Sequence, residues 1–183
     1  HAAGHRFSGV YFGGGTPTTE PAELIETIAL VRQLFGVREV SVETNPNDLR
    51  PALLEQLRAA GVTRLSIGVQ SFDDRLLREM ERYEKYGSSA EIQEHIRTAA
   101  SYFPTVNVDL IFNLPHQTLE LLRQDVEIFL SLGANQVSFY PLMTSPTVAG
   151  RMADTMGLPD RRRLRPFFNT ILEQLRPEFT ASS

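Results

Sequence analysis

The sequence predicts an α/β fold with parallel β-strands, and three observations lead to that class. Short runs of β-branched and aromatic residues recur along the 183-residue chain, and each run is ended by glycine, asparagine or proline. Longer stretches between these runs carry apolar residues at helical spacing. The strand starts are far enough apart to leave room for a helix in every connection, as parallel strands joined by right-handed crossovers require.

The first half of the chain contains three predicted strands, each followed by a predicted helix. The first helix places Leu24 and Ile28 on one face. Pro21 and Pro51 stand in first turns, where the missing N–H costs nothing, and Gly61 follows the second helix, where a left-handed cap suits glycine. The elements of this half are Val10–Phe12, Glu20–Leu34, Val40–Glu43, Pro51–Ala60, Leu65–Gly68 and Asp73–Arg82.

The second half continues the alternation and ends in a helix. Gly133 follows another helical run and is a further candidate for a left-handed cap. Thr144-Ser145-Pro146 is predicted to form a loop before a last helix with a basic start. The elements of this half are Ala90–Tyr102, Val106–Ile111, Leu119–Leu132, Gln136–Tyr140 and Arg161–Leu175.

Five parallel β/α units are compatible with two architectures. A doubly wound open sheet can stop at five strands, whereas a closed barrel needs more, so the five units could also form part of a barrel. Because a chain of this length with 42% hydrophobic residues can bury one sizeable core, we expect a single domain over residues 1–183.

Composition argues against several classes of function. The net charge is −4, and the 18 basic residues form no long stripe, which disfavours binding to nucleic acid or to an anionic membrane. No apolar run approaches the roughly 18 residues of a membrane span, and the first residues lack the apolar stretch of a signal peptide, so we expect a cytoplasmic protein. The absence of cysteine excludes disulfides, thiolate metal ligands and a cysteine nucleophile within this chain.

Residues at the carboxyl ends of the predicted strands are the first candidates for a site, because ligands of parallel β/α folds bind there. Three glycines followed by Thr16 let the backbone approach a ligand and offer N–H donors suited to a carboxylate or amino-acid group, although a tight structural turn also explains the run. Glu43 suits a ribose diol or an ammonium group, or it serves as an anion at a helix N-terminus.

Three further polar residues are candidates for ligand contacts. Gln70 ends an apolar segment and is either a ligand contact or a structural amide. Asp109 interrupts an apolar strand, where an unpaired carboxylate is costly, which favours a functional or network role. Arg82, expected on the helix after Gln70, suits a carboxylate partner, although a solvated arginine is the commoner case. The four histidines show no convincing metal-ligand spacing, and no metal site is predicted.

Four motifs together resemble one enzyme family. They are Tyr11-Phe12-Gly13-Gly14-Gly15-Thr16-Pro17-Thr18, Ser41-Val42-Glu43-Thr44-Asn45-Pro46, Leu65-Ser66-Ile67-Gly68-Val69-Gln70-Ser71-Phe72 and Asp109-Leu110-Ile111-Phe112-Asn113-Leu114-Pro115. In this order and spacing, they resemble the radical S-adenosylmethionine (SAM) enzymes similar to oxygen-independent coproporphyrinogen III oxidase. The resemblance implies a partial (β/α)6 TIM-like barrel, of which five β/α units are present.

The resemblance also implies a binding site for SAM. The glycine run would contact the amino and carboxylate groups of the methionine end, the charged and amide side chains would make polar contacts, and backbone near the last strand end would lie close to the adenine. The implied SAM-binding residues are Gly14, Gly15, Thr16, Glu43, Gln70, Arg82, Asp109 and Pro141. No catalytic residue is assigned.

Members of the family hold a [4Fe–4S] cluster in a Cys-x-x-x-Cys-x-x-Cys loop and cleave SAM reductively to a 5′-deoxyadenosyl radical, with electrons from a donor such as a flavodoxin. This chain has no cysteine, so the resemblance implies a truncated fragment whose cluster loop and sixth β/α unit lie upstream of Val10. We therefore expect the cluster only in the full-length protein and no turnover by the fragment. An open barrel edge could pair two copies as a homodimer.

The implied substrate is a tetrapyrrole, and several outcomes remain open. Asn113-Leu114-Pro115-His116-Gln117-Thr118 stands where common members have Gly-Leu-Pro-Gly-Gln-Thr, which argues against propionate decarboxylation. Arg82-Tyr83-Glu84-Lys85-Tyr86-Gly87 and Ser138-Phe139-Tyr140-Pro141-Leu142-Met143 look more like the heme-utilisation branch, which opens the heme ring anaerobically with methyl transfer. Alternatives on the same scaffold are a non-catalytic heme-binding chaperone and a cluster-free module that binds a nucleotide or a partner.

Overall fold

Five parallel strands form one sheet, as the β/α alternation predicts, and their order in the sheet is the order of the sequence. In a computed structural model of the chain, the described residues are 7–143, 156–177 and 179–180. The strands are β1 (Gly9–Phe12), β2 (Glu39–Thr44), β3 (Arg64–Gln70), β4 (Thr105–Phe112) and β5 (Gln136–Pro141). Each pairs in parallel with the next, and within the described ranges β1 and β5 are the two open edges of the sheet. The fold is therefore an unclosed, barrel-like sheet.

Helices connect successive strands and follow the last one. They are α1 (Pro21–Phe35), α2 (Pro51–Ala60), α3 (Asp74–Glu79), α4 (Tyr83–Tyr86), α5 (Ser89–Tyr102), α6 (Leu119–Leu130) and α7 (Leu164–Leu175). Single 3-10 turns precede α1, α2 and α7 at residues 17–19, 46–48 and 161–163. Among the described residues, none of the helices is both long and apolar enough to cross a membrane.

Local sequence explains where most helices begin and end. Pro21 and Pro51 occupy first turns as predicted, and Gly61 adopts the predicted left-handed cap after α2 with φ +93°. Helix α5 begins with a capping box, in which the Ser88 side chain accepts from the Glu91 N–H while the Glu91 carboxylate accepts from the Ser88 N–H.

Two predicted helix boundaries are wrong. The helix expected over Asp73–Arg82 ends at Glu79, and Glu81 then adopts φ +57°, so Arg82 lies before the short helix α4 and not within a helix. The helix expected to reach Leu132 ends at Leu130, which leaves Gly133 beyond its cap. The predicted loop Thr144-Ser145-Pro146 lies outside the described residues.

The sheet has one apolar and one polar face because side chains alternate along each strand. The apolar face packs against the helices and forms the core, with Val42, Ile67 and Val108 fully buried there together with Leu54 of α2 and Phe129 of α6. The opposite face carries polar side chains on every strand. That face lines the interior of the open barrel. Its edge at the carboxyl ends of the five strands is called the rim below, and the candidate site lies there.

Candidate functional site

The glycine loop after β1 folds over the carboxylate of Glu43 on β2. The Gly14 N–H donates to Glu43 Oε2 at 3.0 Å, and the Tyr11 hydroxyl donates to Glu43 Oε1. Parallel pairing of β1 and β2 brings the loop above Glu43. The structure therefore brings together the predicted site residues Gly14 and Glu43, and it adds Tyr11, which sequence reasoning missed.

The three glycines of this loop serve different purposes. A Cβ at Gly13 would lie 2.6 Å from Tyr11 Cε1 and 2.8 Å from Glu43 Cδ, so only glycine fits there without moving Glu43. Gly14 has φ +89°, a conformation that favours glycine. Gly14 and Gly15 both face open space, with nothing within 4 Å of an added Cβ. The loop borders a cleft of about 450 Å³ that extends from Tyr11 to Pro17.

The rim continues over β3, where three side chains meet above Gly68. An added Cβ at Gly68 would lie 3.2 Å from Gln70 Nε2, 3.7 Å from Asn45 Oδ1 and 3.8 Å from Arg82 Nη2. Asn45 in turn donates to Thr16 Oγ1 at 2.7 Å, which ties the glycine loop to this part of the rim. Thr16, Gln70 and Arg82 are therefore part of one continuous edge, and Asn45 is a member that sequence reasoning missed.

Arg82 reaches the rim from the loop before α4. Its Nη2 donates to the Gly68 carbonyl oxygen at 2.6 Å, and its guanidinium carbon lies 4.2 Å from the centre of the Tyr86 ring. Burial lowers the pKa of Arg82 from its usual value. Its Nε is buried and has no hydrogen-bond acceptor among the described residues, which leaves one donor for a ligand.

Asp109 lies below the rim at the centre of a polar network. It pairs in register with Gly68 on β3 and Ser138 on β5. Ser66 Oγ donates to Asp109 Oδ2 at 2.9 Å, and Asn107 Nδ2 donates to Asp109 Oδ1 at 2.8 Å. Burial raises the pKa of Asp109, and these hydrogen bonds oppose the rise. Asp109 thus has a network role, one of the two roles expected for it.

Negative charge is concentrated on this face of the sheet. Burial, the hydrogen bond to Glu43 and the charges of Glu43 and Asp109 raise the pKa of Tyr11 to about 12. Tyr11 therefore stays protonated at neutral pH and donates to Glu43. A ligand group that meets Glu43 and Asp109 favourably is a cation or a hydrogen-bond donor, such as an ammonium group or a hydroxyl.

Pro141 stands apart from the other predicted site residues. It ends β5 in register with Phe112, at the carboxyl edge of the sheet but two strands away from Gln70 on β3. No side-chain contact joins it to the glycine loop or to Glu43 within the described residues. A ligand that contacts both regions has to lie across the strand ends. Among the described residues, no group of three or more potential metal-ligating side chains is arranged to hold an ion.

A second, fully buried network holds the chain segment that follows β3 at the rim. Asp125 on α6 accepts from the Phe72 N–H at 2.6 Å, from Ser71 Oγ at 3.1 Å and from Gln117 Nε2 at 3.3 Å. Burial raises the pKa of Asp125 to about 7, against the effect of those donors. The network fixes the segment just after Gln70, which itself has φ +79° next to a register shift in β3.

Sequence reasoning missed Ser66, Asn107 and Ser138, although a signal for them exists. Polar residues recur at every second position along the strands, as in Ser41 and Glu43 or Asn107 and Asp109. A period of two puts such residues on one face, so the alternation indicates a polar interior. The fourth strand, expected to be apolar apart from Asp109, also carries the inward-facing Asn107.

Comparison with known proteins identifies the family. The Radical SAM superfamily matches residues 2–129. The oxygen-independent coproporphyrinogen III oxidase of Paracoccus denitrificans is 34% identical over 173 residues, which cover 91% of this chain and 38% of that protein. The heme chaperone HemW of Bacillus subtilis is 36% identical over 142 residues, which cover 75% of this chain and 37% of that protein. The chain thus spans less than two fifths of these relatives.

A solved structure agrees with this result. Coproporphyrinogen III oxidase (HemN) from Escherichia coli, a radical SAM enzyme, superposes with a TM-score of 0.81 at 27% identity. The superposition covers 96% of this chain and 41% of that protein. The open five-stranded sheet is therefore the architecture of a part of that structure.

Proposed function

The chain belongs to the radical SAM superfamily, and from this membership we propose that it binds SAM across the carboxyl ends of its strands. The observation that carries the proposal is the glycine loop folded over Glu43, with open space above Gly14 and Gly15. An exposed backbone next to a carboxylate suits the ammonium and carboxylate groups of an amino acid.

The remaining rim residues also fit such a ligand. Arg82 offers a buried Nε donor that lacks an acceptor among the described residues, and Gln70 lies beside it. Asp109 and its network present acceptors for hydroxyl groups on the interior side. When bound, SAM would be the source of the 5′-deoxyadenosyl radical that members of the family generate by cleaving it. The role of the rim residues is to bind and orient SAM.

The [4Fe–4S] cluster of the superfamily does not fit on this chain. The chain contains no cysteine, so none of its side chains can supply a thiolate ligand. The cluster would have to be held by residues that are not in this sequence.

We further propose a tetrapyrrole as the substrate class of the whole protein. Support comes from two relatives whose names refer to coproporphyrinogen III and to heme. The whole protein would then be a radical SAM enzyme that requires a reducing electron donor such as a flavodoxin. Asn113 stands at the end of β4 with φ +66°, where common members have glycine, and this departure supports an outcome other than propionate decarboxylation.

Calorimetry with SAM tests the cofactor proposal. Glu43→Gln removes the negative charge and keeps the shape, so we expect SAM affinity to fall about tenfold, equivalent to about 1.4 kcal/mol. Glu39→Gln is the matched control, because Glu39 lies on the same strand near its amino end, away from the rim. Equal SAM affinity for the unchanged chain and Glu43→Gln, or no binding of SAM by the unchanged chain, would contradict the proposal.

Heme binding without radical chemistry is the second candidate function. It is favoured by the 36% identity to a heme chaperone. The test is transfer of heme from the full-length protein to an apo-hemoprotein, measured with and without SAM and reductant. Transfer without consumption of SAM would support this candidate over the enzyme.

A further inference from the structure

A second cavity lies between the loop that follows β4 and the first turn of α7, and it is open to solvent. Its volume is about 510 Å³, within the range of roughly 300–1,000 Å³ that small-molecule sites occupy. Leu119, Pro166 and Phe167 give it apolar walls, and His116 and Arg163 also line it. None of the expected SAM-binding residues is among its lining residues.

Arg163 holds the two walls of this cavity together. Its Nη1 donates to the Pro115 carbonyl oxygen at 2.9 Å, and its Nη2 donates to the Gln117 carbonyl oxygen. Its guanidinium carbon also lies 4.7 Å from the centre of the Phe167 ring. Asp160 is close enough for the charge of Arg163 to help lower its pKa, but among the described residues no carboxylate forms an ion pair with Arg163. The cavity is therefore preformed, and the partly offset charge of Arg163 favours a ligand with an anionic substituent.

Helix α3 fixes the position of His116. The His116 Nδ1 lies 3.0 Å from Glu79 Oε2, and the His116 carbonyl oxygen accepts from Arg75 Nη2 at 3.3 Å. The side chain of His116 is 56% exposed, so the ring is accessible to a ligand. A neutral imidazole that donates its Nδ1 proton to a carboxylate keeps an unprotonated Nε2, which is the atom that ligates metals.

This arrangement suits a metal that brings most of its own ligands. Histidines that ligate metals are commonly oriented by a carboxylate on the other ring nitrogen, as Glu79 orients His116. A free metal ion usually needs three or more protein ligands, and the described residues contain no group of three potential ligands. An iron porphyrin already has four equatorial nitrogens, so one histidine is enough to ligate it.

The remaining features of an iron porphyrin also match the cavity. Its apolar ring suits the walls formed by Leu119, Pro166 and Phe167. Its carboxylate substituents suit the positive charge of Arg163. Chemistry, charge and volume therefore all favour the same class of ligand.

We propose that the cavity between the β4 loop and α7 binds an iron porphyrin whose iron is ligated by Nε2 of His116, with Glu79 as the positioning residue. This inference rests on heme binding, the second candidate function. It goes beyond that candidate because it assigns the ligating residue and the cavity.

Titration of the chain with hemin, followed by its Soret absorption band, tests the inference. The comparison probe is metal-free protoporphyrin IX, which has the same ring and carboxylates but no iron to ligate. In His116→Ala we expect hemin affinity to fall by at least about tenfold with loss of the Soret shift, while affinity for protoporphyrin IX stays unchanged. Glu79→Ala should weaken hemin binding about tenfold and also leave protoporphyrin IX unaffected.

Two further variants serve as control and as a test of the cavity. His95→Gln removes a histidine of α5 that does not line the cavity, and it should bind both probes normally. Pro166 is exposed in the first turn of α7, where a carboxylate is compatible with the helix. Pro166→Glu should therefore fold normally and weaken the binding of both probes, because it puts a negative charge on the wall of the cavity.

The outcomes separate this inference from the candidate function on which it rests. Unchanged hemin affinity and Soret band in His116→Ala, or equal loss of both probes, overturns ligation by His116. Unchanged binding of both probes in Pro166→Glu overturns the cavity as the site. If the unchanged chain binds neither probe, the inference fails, while heme transfer by the full-length protein still decides the candidate function. If His116→Ala loses its circular dichroism spectrum, Glu79→Ala decides, and full hemin affinity of that variant overturns the inference.

Discussion

At the scale of single residues, the three adjacent glycines make separable contributions. A Cβ at Gly13 would displace the side chains of Tyr11 and Glu43, and Gly14 has a φ of +89° that favours glycine. Gly15 meets neither constraint, since its φ is not in the left-handed region and an added Cβ contacts nothing within 4 Å. A side chain at Gly15 therefore tests the ligand space without straining the fold.

We expect Gly15→Val to weaken SAM binding by at least about tenfold while leaving the unfolding temperature unchanged. The branched side chain would occupy the open space above the loop, whereas Gly15→Ala occupies less of it and should have a smaller effect. Calorimetry and thermal unfolding of both variants provide the measurement. Full SAM affinity in a folded Gly15→Val variant would place the ligand elsewhere.

Only part of the candidate site was predictable from the sequence. Glycine runs and strand-end carboxylates have local signatures, so the sequence predicts Gly14 and Glu43 as candidates, and the structure joins them by a hydrogen bond. The contacts of Asn45 with Thr16 and of Arg82 with Gly68 depend on how loops from different β/α units converge. One sequence without a three-dimensional arrangement does not contain that information.

At the scale of elements, α6 supports the rim through one buried carboxylate. Asp125 holds the Ser71–Phe72 segment and Gln117, so it links the loops after β3 and β4. Its side chain is 1% exposed, and its pKa is raised from 3.8 to about 7. Between those two pH values the folded chain keeps a proton that the unfolded chain has lost.

This proton makes the Asp125 contribution to stability fall as pH rises. We expect the Asp125 contribution to the free energy of unfolding to decrease from about pH 4 to about pH 7 and then to level off, because the unfolded state binds fewer protons at this group in that window. Asp125→Asn should lose this decrease, and urea unfolding at several pH values measures it. Glu127→Gln, an exposed position on the same helix, should retain it. An unaltered pH dependence in Asp125→Asn would contradict the assignment.

Element boundaries show where sequence reasoning succeeds and where it stops. Proline and glycine signals correctly marked the start and end of α2, because those residues restrict the backbone directly. The helix after β3 was predicted too long, because helical periodicity continues past Glu79 while the backbone turns at Glu81 with φ +57°. That turn brings Arg82 to Gly68, and a tertiary contact of this kind overrides local propensity.

At the scale of the whole molecule, the β/α order and parallel pairing were confirmed, because strand and helix periodicities are strong in every unit. Sequence alone left an open sheet and a partial barrel undecided. The match to a part of the HemN structure agrees with the partial barrel. The extent of a single domain over residues 1–183 stays a prediction.

The two open edges of the sheet lead to a prediction about association. Unpaired N–H and C=O groups of an edge strand are templates for pairing with another chain. We expect the chain to dimerise through such an edge in a concentration-dependent way, which sedimentation equilibrium measures. Introducing proline by Tyr11→Pro on β1 should reduce dimerisation, and a monomer at all concentrations would rule out the edge as an interface.

The absence of cysteine leads to a prediction about activity. We expect the purified chain to form no 5′-deoxyadenosine from SAM after anaerobic treatment with iron, sulfide and dithionite, because it has no thiolate to hold a cluster. Chromatography of the reaction mixture detects the product. Iron-dependent formation of 5′-deoxyadenosine would show that cluster assembly does not need cysteines of this chain.

The two unlike faces of the sheet have a consequence for how such proteins diverge. The apolar core lies on the face packed against the helices, where Ile67 and Val108 are fully buried, while the candidate binding residues lie on the other face. Substitutions at accessible inward positions therefore change chemistry without opening a cavity in the apolar core, whereas the buried and hydrogen-bonded Ser66 and Asn107 tie part of the inner face to stability. Proteins with this fold can therefore diverge in specificity while keeping the same core. The relatives of this chain include both an oxidase and a chaperone, which agrees with such divergence.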